Sequence, residues 1–453
     1  MYSEVFEKYS GLVDKYSDMI YKAERYIFAH PETGFKEFKT SKYLEDAFEG
    51  LGYTLHKAEG ITGFYTDIDT GRPGPKVLIF GELDSVICAE HPEADKETGA
   101  VHSCGHNCQA AALLGIAAAL KEEGALDGLS GSVKLCAVPA EELLETDYRE
   151  ELRRKGVIKY YGGKVEFMSR GYFDDCDLAF MVHTTTVAEP HSLLVRKGSN
   201  GCISKNIVYK GVASHAGGSP NKGVNALYAA NMGFNAVNAL RETMIDGDYV
   251  RIHSIITNGG QMVNAIPSEI CVETQVRGRS NEIIKNANDK VNRAYAAAAA
   301  SIGAKVEIHD RPGYSPVEND DTMIEIFERV ARMCTEPEKV KVNYVRGGGC
   351  SDIGDIQQVM PAIHPNVSGA RGTGHGCDYY ITDPESACVF SAKFQLVYLH
   401  ELLKDDAAEA KRVVANAKPV YGSMAEYFDA INAFMADKEC VRYNDNGTVT
   451  LEF

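Results

Sequence analysis

The sequence predicts an α/β fold, in which a catalytic domain with a mostly parallel sheet flanked by helices is interrupted by an inserted α+β domain. Strand-like runs and an Ala/Leu-rich helix alternate between residues 61 and 142, which is the pattern of a parallel sheet with helical crossovers. From about residue 198 strands become more frequent, and the first pattern returns after about residue 310. The 453 residues also exceed one ordinary core, so two domains are expected.

The first domain begins with helices and continues with strands. Val5, Tyr9 and Val13 recur at helical spacing. The runs "ITGFYTDI" and "KVLIFGELD" are β-rich and are separated by a turn at "DTGRPGP". The helix "CQAAALLGIAAALKEEG" follows, and then the strand "GSVKLCAVPAEE". In parallel sheets the chemistry collects where strands end, so the polar residues that follow these strands become candidates.

The inserted domain is predicted from its strands and two helices. The runs "CISKNIVYKG", "YVRIHSIITNGG", "SEICVETQVRG" and "KVEIHD" look like strands, with helices predicted between them. A helix at "DTMIEIFERVARMC" and a C-terminal helix from "ESACVFSAKFQLVYLHELL" mark the return of the α/β pattern. Because candidate catalytic residues lie on both sides of the insertion, we predict a discontinuous domain of residues 1–197 and 311–453. Residues 198–310 form the second domain.

Composition narrows the classes of partner. A net charge of −17 and a pI near 5.3 disfavour a nucleic-acid partner, because phosphate binding needs a basic face. No signal-peptide stretch and no run of roughly 18 apolar residues is evident, so no membrane association is expected. The twelve cysteines lack paired spacing, which favours reduced thiols. We therefore expect a cytoplasmic protein with a small-molecule partner.

Five side chains form a possible metal-binding set. "VHSCGHN" gathers a thiol and an imidazole around a glycine, and "AVPAEE" ends a strand with paired glutamates. Of two further histidines, one follows an apolar strand and the other lies in the glycine-flanked "GTGHGCDYY". Taken singly, each has an ordinary interpretation: a lone Cys-Gly-His is more often a structural turn, and Glu pairs are common on surfaces. The set comprises Cys104, His106, Glu142, His183 and His375.

Five ligands exceed the four of a closed structural zinc site, which indicates two adjacent divalent ions. Carboxylate, imidazole and thiolate donors suit Zn²⁺ or Mn²⁺. Glu141 would then be available as a general base, since a carboxylate can take a proton from activated water and pass it to a leaving amine. Asp84 is predicted to orient a ligating imidazole, and capping a turn is an equally good interpretation.

The ordered motifs resemble those of the M20 peptidase family, in its aminoacylase-like subfamily. The resemblance runs nearly end to end through "HPETGFKEFKTSKYLEDAFEGLGY", "GELDSV", "HSCGHN", "PAEE", "MVH", "ASHAGGSPNKGVNAL", "NGGQMVNAIP" and "GTGHGCDYY". "CGHN", "RGYFDDCDLAFMVHTT" and "SDIGDIQQVMPAIHP" look most like the branch of p-aminobenzoyl-glutamate hydrolase subunits and β-alanyl-lysine-type dipeptidases. Membership implies two Mn²⁺ or Zn²⁺ ions in each protomer, the five ligands and the base already named, and a lid domain that mediates homodimerisation.

The resemblance also implies roles for three residues of the inserted domain. His215 in "ASHAGG" resembles a histidine that reaches from one protomer into its partner and polarises the scissile carbonyl there, and its ordinary alternative is a surface histidine. Asn264 and Arg277 resemble binders of the substrate carboxylate, although a solvated Arg is nearly as good an interpretation. Departures after Asp84 and the neutral Asn107, where relatives carry an acid, indicate a substrate pocket of its own.

The predicted function is metal-dependent hydrolysis of the amide bond of an N-acyl or N-aroyl amino acid, such as a p-aminobenzoyl-glutamate-like compound. A dipeptidase or an aliphatic aminoacylase would use the same residues, so both remain open. A catalytically silent partner of an active chain is a third possibility, and the intact ligand set with both glutamates argues against it. A metal-storage module is disfavoured, because storage does not require Glu141 beside Glu142.

Overall fold

The computed structural model describes residues 3–453. Its helices include the predicted N-terminal, Ala/Leu-rich and C-terminal segments, and a π-helical turn at Glu385–Phe390 precedes the longest of them. That longest helix is interrupted by non-helical backbone at residues 404–407. The helices are α1 Glu4–Asp14, α2 Ser17–Phe28, α3 Phe38–Gly50, α4 His106–Leu120, α5 Thr146–Arg154, α6 Gly163–Ser169, α7 Ala226–Ala239, α8 Asn281–Ser301, α9 Asp321–Cys334, α10 Ile353–Ile356, α11 Ser391–Asn416 and α12 Met424–Asn432.

The strands vary from two-residue pairs to the ten-residue strands of the insertion. In chain order they are β1 His56–Lys57, β2 Phe64–Asp69, β3 Lys76–Glu82, β4 Val86–Ile87, β5 Ala100–Val101, β6 Ser132–Val138, β7 Leu178–Phe180, β8 His183–Thr184, β9 Leu193–Arg196, β10 Gly201–Lys210, β11 Ser214–His215 and β12 Arg251–Asn258. They continue with β13 Ala265–Ile266, β14 Glu269–Gly278, β15 Lys305–Pro312, β16 Val340–Asn343, β17 Ala362–Ile363, β18 Asn366–Val367, β19 Ala370–Arg371, β20 Tyr380–Ile381, β21 Ala436–Glu439, β22 Val441–Tyr443 and β23 Val449–Leu451.

The chain divides into two compact units. The first comprises Met1–Gly198, Val317–Arg346 and Ser351–Met424, and the second comprises Ser199–Pro316, Gly347–Cys350 and Ala425–Phe453. The C-terminal segment Ala425–Phe453 therefore lies with the second unit, whereas the sequence predicts it in the first. The physical reason is strand pairing, because β21 adds antiparallel to β15 and completes that unit's sheet.

The first unit is built on a six-stranded sheet of order β1-β2-β6-β3-β7-β17. Strands β6, β3, β7 and β17 are parallel; β2 runs antiparallel to β6, and β1 runs antiparallel to β2. Helix α4 packs against it and is buried at every position, in keeping with a sequence that is rich in Ala and Leu. The predicted α/β class with a mostly parallel sheet is confirmed.

The sheet order explains how distant residues meet. Strands β6, β3 and β7 are neighbours, and their carboxyl ends lie at one sheet edge because they run parallel. Asp84 follows β3, Glu141 and Glu142 follow β6, and His183 follows β7. Three separated segments of the chain therefore deliver polar side chains to the same edge.

The second unit is a five-stranded antiparallel sheet of order β12-β14-β10-β15-β21, with helices α7 and α8 packed on it. Its core contains Tyr209, Val291 and Tyr295, all fully buried. Edge strand β12 is largely exposed and carries Ile255 and Ile256 at its surface. Among residues 3–453, the search for a helix that is long and apolar enough to cross a bilayer found none.

Candidate metal centre

The thiol and the first histidine lie on either side of a left-handed glycine. Gly105 has φ +100°, a conformation that side chains other than glycine rarely adopt, and it precedes the first residue of α4, His106. A Cβ at this position would lie 2.7 Å from the hydroxyl of Tyr379, which itself donates to the Cys104 carbonyl at 3.1 Å. Gly105 is therefore required for the turn that presents Cys104 and His106.

Asp84 joins two of the predicted ligands. Its backbone oxygen lies 2.9 Å from Nδ1 of His106, and its Oδ1 lies 3.3 Å from the same nitrogen. Its Oδ2 accepts the backbone N–H of Glu142 at 2.8 Å. Both acceptors at Nδ1 fix the proton on that nitrogen, so Nε2 of His106 presents a lone pair. The orienting role predicted for Asp84 matches this geometry.

Two groups of donor atoms share the thiol of Cys104. In each group the donor atoms lie within 4.8 Å of one another. One pair of donors, Sγ of Cys104 and Nε2 of His183, is 3.3 Å apart, and Nε2 of His375 lies 3.0 Å from Oε1 of Glu142. The groups are Cys104, His106 and His183, and Cys104, Glu142 and His375. All five predicted ligand residues are thus brought together.

The residues fit divalent ions because buried acceptor atoms face one another. His183 directs Nδ1 to the Thr184 carbonyl at 2.6 Å, so its Nε2 lone pair faces the thiol. Among residues 3–453, Nε2 of His106 is buried without a hydrogen-bond partner, and Oε1 of Glu142 faces Nε2 of His375 at 3.0 Å. Buried acceptors without donors are costly, and a shared cation resolves that cost.

The electrostatics of the site favour the ligating forms of thiol and carboxylate. Burial alone would raise the pKa of the Cys104 thiol, but without a metal ion the positive charges of protonated His106 and His183 lower it to about 6. Burial likewise opposes ionisation of Glu142, yet its interaction with His375 lowers the pKa of that carboxyl to about 2. Hydrogen bonds to Cys104 and Glu142 raise the pKa of His375 to about 11.

Glu141 lies beside the donor groups. Its Oε2 is 3.9 Å from Nε2 of His106, and its side chain is almost fully buried. Burial raises the pKa of Glu141 well above the ordinary value, and the charges of Glu82 and Glu142 raise it further. A carboxyl with a raised pKa can both take and return a proton near neutral pH, which is the property of a general base.

The turn that carries the two glutamates is held from three sides. Ala140 has φ +55°, and its N–H donates to Oε1 of Glu37 at 2.8 Å. Arg149, which is buried, donates to the Glu142 carbonyl and, at 2.6 Å, to the Tyr161 carbonyl. These supports keep a strained backbone in place.

The three predicted residues of the inserted domain lie in the second unit. His215 is exposed on β11, which pairs with β13, and its Nδ1 accepts N–H groups of Gly217 and Gly218 at 3.2 and 2.9 Å. The neutral ring therefore carries its proton on Nε2, where it can donate. Exposed Asn264 lies next to this pair, and its backbone carbonyl accepts the Ala216 N–H at 3.0 Å.

Arg277 is half-buried on β14, which belongs to the five-stranded sheet and not to the β11–β13 pair. Its guanidinium donates to Oε1 of Gln275 at 2.7 Å. Within the described residues its Nε has no hydrogen-bond partner.

Sequence reasoning missed a buried ion cluster beneath the centre. Glu82 is the last residue of β3, and its Oε2 lies 3.2 Å from Nε2 of His106. Lys164, with no exposed surface, pairs with both Glu82 and Asp352. His364 was also missed, and its ring lies 5.8 Å from that of His183. The available signal was a charged residue inside the apolar run "VLIFGELD".

Comparison with known proteins decides the family. The model of peptidase family M20/M25/M40 matches residues 78–399, more than half of the chain and all of the predicted ligands. The chain belongs to this family. The M20 membership predicted from the sequence is thereby confirmed, and so is the prediction that the chain is a hydrolase.

Similar curated M20 proteins are hydrolases of peptides and amides. The Xaa-Arg dipeptidase of Homo sapiens is 31% identical over 78% of this chain and 77% of its own length. One of the p-aminobenzoyl-glutamate hydrolase subunits of Escherichia coli is 28% identical over 62% of this chain and 55% of its own length. The thermostable carboxypeptidase 2 of Saccharolobus solfataricus is 24% identical over 83% of this chain and 92% of its own length.

Solved structures share the M20 fold. The aminobenzoyl-glutamate utilization protein of Klebsiella pneumoniae has a TM-score of 0.63 at 20% identity and covers 87% of this chain and 98% of its own. The Bacillus subtilis YXEP protein, described as a dinuclear metal binding peptidase, has a TM-score of 0.63 at 20% identity. The match covers 86% of this chain and 99% of the YXEP chain.

Proposed function

We propose that the chain hydrolyses the amide bond of an N-acyl or N-aroyl amino acid, of the p-aminobenzoyl-glutamate type, in the cytoplasm. The single observation that carries the proposal is the pair of donor groups joined at Cys104 with Glu141 beside them. A thiolate shared by two donor groups suits two adjacent ions, and a buried carboxylate next to them suits proton transfer.

Two divalent ions, Mn²⁺ or Zn²⁺, fit the site because its donors are thiolate, imidazole and carboxylate. When bound, such ions polarise a carbonyl and make water more acidic, toward a pKa of about 7. The protein ligands would be Cys104, His106, Glu142, His183 and His375.

The chain's own residues would move the protons and stabilise developing charge. Glu141 accepts a proton from the attacking water and returns it to the amine that leaves, so no covalent acyl intermediate is needed. His215 of the partner subunit, as the family resemblance implies, donates its Nε2–H to the oxygen that becomes negative in the transition state. Asn264 and Arg277 bind the free carboxylate of the substrate.

Dipeptide hydrolysis is a second candidate activity. It is supported by the 31% identity to the Xaa-Arg dipeptidase, which covers 78% of this chain. The same ligands and base would serve a dipeptide, because the scissile bond is again an amide. An aliphatic aminoacylase differs only in the acyl group, and the pocket alone selects among the three.

Homodimerisation is proposed through the second unit. Edge strand β12 exposes Ile255 and Ile256, with 61% and 42% of their surfaces accessible, and Tyr228 on α7 is 63% exposed. Neighbouring apolar groups on an open edge favour pairing with another strand. The opposite edge, β21, carries charged side chains that discourage pairing, as in Asp437. Light scattering of wild type and Ile255→Lys tests the mass of the particle.

The test of function uses the purified chain alone. Chelation should abolish hydrolysis, and added Mn²⁺ or Zn²⁺ should restore it. A panel of p-aminobenzoyl-glutamate, N-acetyl amino acids and basic or β-alanyl dipeptides then ranks the substrate classes by kcat/KM. Turnover that is indifferent to both chelator and metal refutes the proposal, and a folded, metal-loaded chain that is inactive on every class supports the alternative of a silent partner.

A further inference from the structure

Glu82 is a fully buried carboxylate whose two oxygens have different surroundings. Its Oε1 accepts from Nζ of Lys164 at 2.5 Å, and its Oε2 accepts from Nε2 of Gln109 at 2.7 Å. The same Oε2 lies 3.2 Å from Nε2 of His106, and Glu82, His106 and Glu141 form a third group of potential donors within 4.8 Å.

When the His106 ring is neutral, as a metal ligand must be, its contact with Glu82 is one between two acceptors. Nδ1 of His106 carries the proton, because it faces the backbone oxygen of Asp84 at 2.9 Å. Nε2 therefore directs a lone pair toward the carboxylate. Within residues 3–453 this nitrogen has no hydrogen-bond partner, although His106 has no exposed surface. In a dry interior a positive charge between these two atoms removes their repulsion, and either a proton on Nε2 or a metal ion in its place can supply that charge.

We propose that Glu82 is a sixth metal-binding side chain, which binds through Oε2 the same ion that Nε2 of His106 binds. The inference rests on the proposed metal centre. Glu82 forms a donor group with His106 and Glu141, and this group meets the group of Cys104, His106 and His183 at His106.

Lys164 acts in this arrangement as a positioning residue. It holds Oε1 of Glu82 through Nζ, and so leaves Oε2 to face His106. It also pairs with Asp352, and its backbone N–H donates to Oδ2 of that residue at 2.9 Å, which anchors it from a second side. A fixed second partner orients a ligating carboxylate in the way that outer partners orient ligating imidazoles.

The test compares Glu82→Gln with Asp352→Asn in the full-length chain loaded with Co²⁺. Both changes remove one buried negative charge next to Lys164, but only Glu82 has an oxygen near His106. The readouts are the number of ions bound, their affinities by chelator competition, and the visible d–d absorption of Co²⁺, which reports its ligands. The thiolate-to-Co²⁺ absorption band serves as an internal reference for Cys104.

Glu82→Gln should lower the affinity for one of the two Co²⁺ ions by about tenfold or more and change the d–d absorption of Co²⁺. Asp352→Asn should leave that absorption unchanged. If Glu82→Gln does not fold, Glu82→Asp withdraws the carboxylate by one methylene, and the same changes are expected.

The inference is overturned if the Glu82 variant binds Co²⁺ with the same affinity and spectrum as the wild type. It is also overturned if Asp352→Asn loses as much affinity as the Glu82 variant. Wild-type protein that binds no ions refutes the proposed centre itself. Wild-type binding of two ions together with an indifferent Glu82 variant refutes only the sixth ligand.

Discussion

Replacing Lys164 by Met tests how much the buried ammonium group next to the candidate metal centre contributes to stability. The ammonium has no exposed surface and pairs with Glu82 and Asp352, which are also buried. Met has a similar length and removes the cation, so two carboxylates lose their counter-ion. Breaking a buried ion pair costs about 3–5 kcal/mol. For the first unit, which has about 300 residues, we expect a thermal midpoint lower by roughly 5–8 °C.

The loss of stability in the Lys164→Met variant should depend on pH in a defined direction. Burial raises the pKa of Asp352 to about 6, and Lys164 acts against that rise; Lys164 also lowers the pKa of Glu82. Removing Lys164 raises both pKa values in the folded state, so the stability deficit is largest above them and shrinks as the carboxyls take up protons. The deficit should therefore be greater at about pH 8.5 than at about pH 5.5.

The assay is thermal unfolding of chelator-treated protein, followed by circular dichroism at both pH values. Lys155→Met is the matched control, since Lys155 pairs with Glu151 at the surface and both side chains are more than half exposed. That pair should contribute little to stability, because both of its charges stay in contact with solvent. A Lys164 variant that unfolds with the control, or a deficit that grows as pH falls, refutes the reasoning.

Three further predictions concern the centre and its surroundings. Glu141→Gln should lower kcat by about 10²–10⁴-fold with unchanged metal content, measured by steady-state kinetics and elemental analysis; an active variant would contradict the base assignment. His215→Ala should lower kcat by about 10²–10³-fold with unchanged metal affinity, and a change confined to metal affinity would contradict the donor role. Gly105→Ala should weaken metal binding in chelator competition, because its Cβ would meet the Tyr379 hydroxyl at 2.7 Å in a backbone that favours glycine; wild-type affinity would show that the turn adapts.

The predictable part of the site consists of residues placed by strand ends. Asp84, Glu142 and His183 each follow an apolar strand, and the parallel order β6-β3-β7 brings those ends together. Apolar strands leave a strong periodic signal, and a polar residue directly after one stands out. The chemistry of the centre was therefore accessible from local patterns together with a family resemblance.

The parts that were missed lack such a signal. Glu82 lies inside an apolar run, and its partner Lys164 comes from helix α6, which no pattern connects with β3. Strand β21 has the sequence "ADKE", which contains no β-branched or aromatic residue, so its pairing with β15 depends on the neighbouring strand rather than on its own propensity. Long-range partners of this kind follow only from tertiary structure.

The supports of the glutamate turn argue that the base is held in position before any substrate arrives. Glu37 fixes the N–H of Ala140, Asp84 fixes the N–H of Glu142, and Arg149 fixes the Glu142 carbonyl. Backbone groups on both sides of Glu141 are thus bonded to buried side chains from three separate segments. Ala140 keeps a positive φ only because these bonds outweigh its strain. A base held in this way loses little entropy when it meets its proton, which is the physical advantage of a rigid turn at a reacting carboxylate.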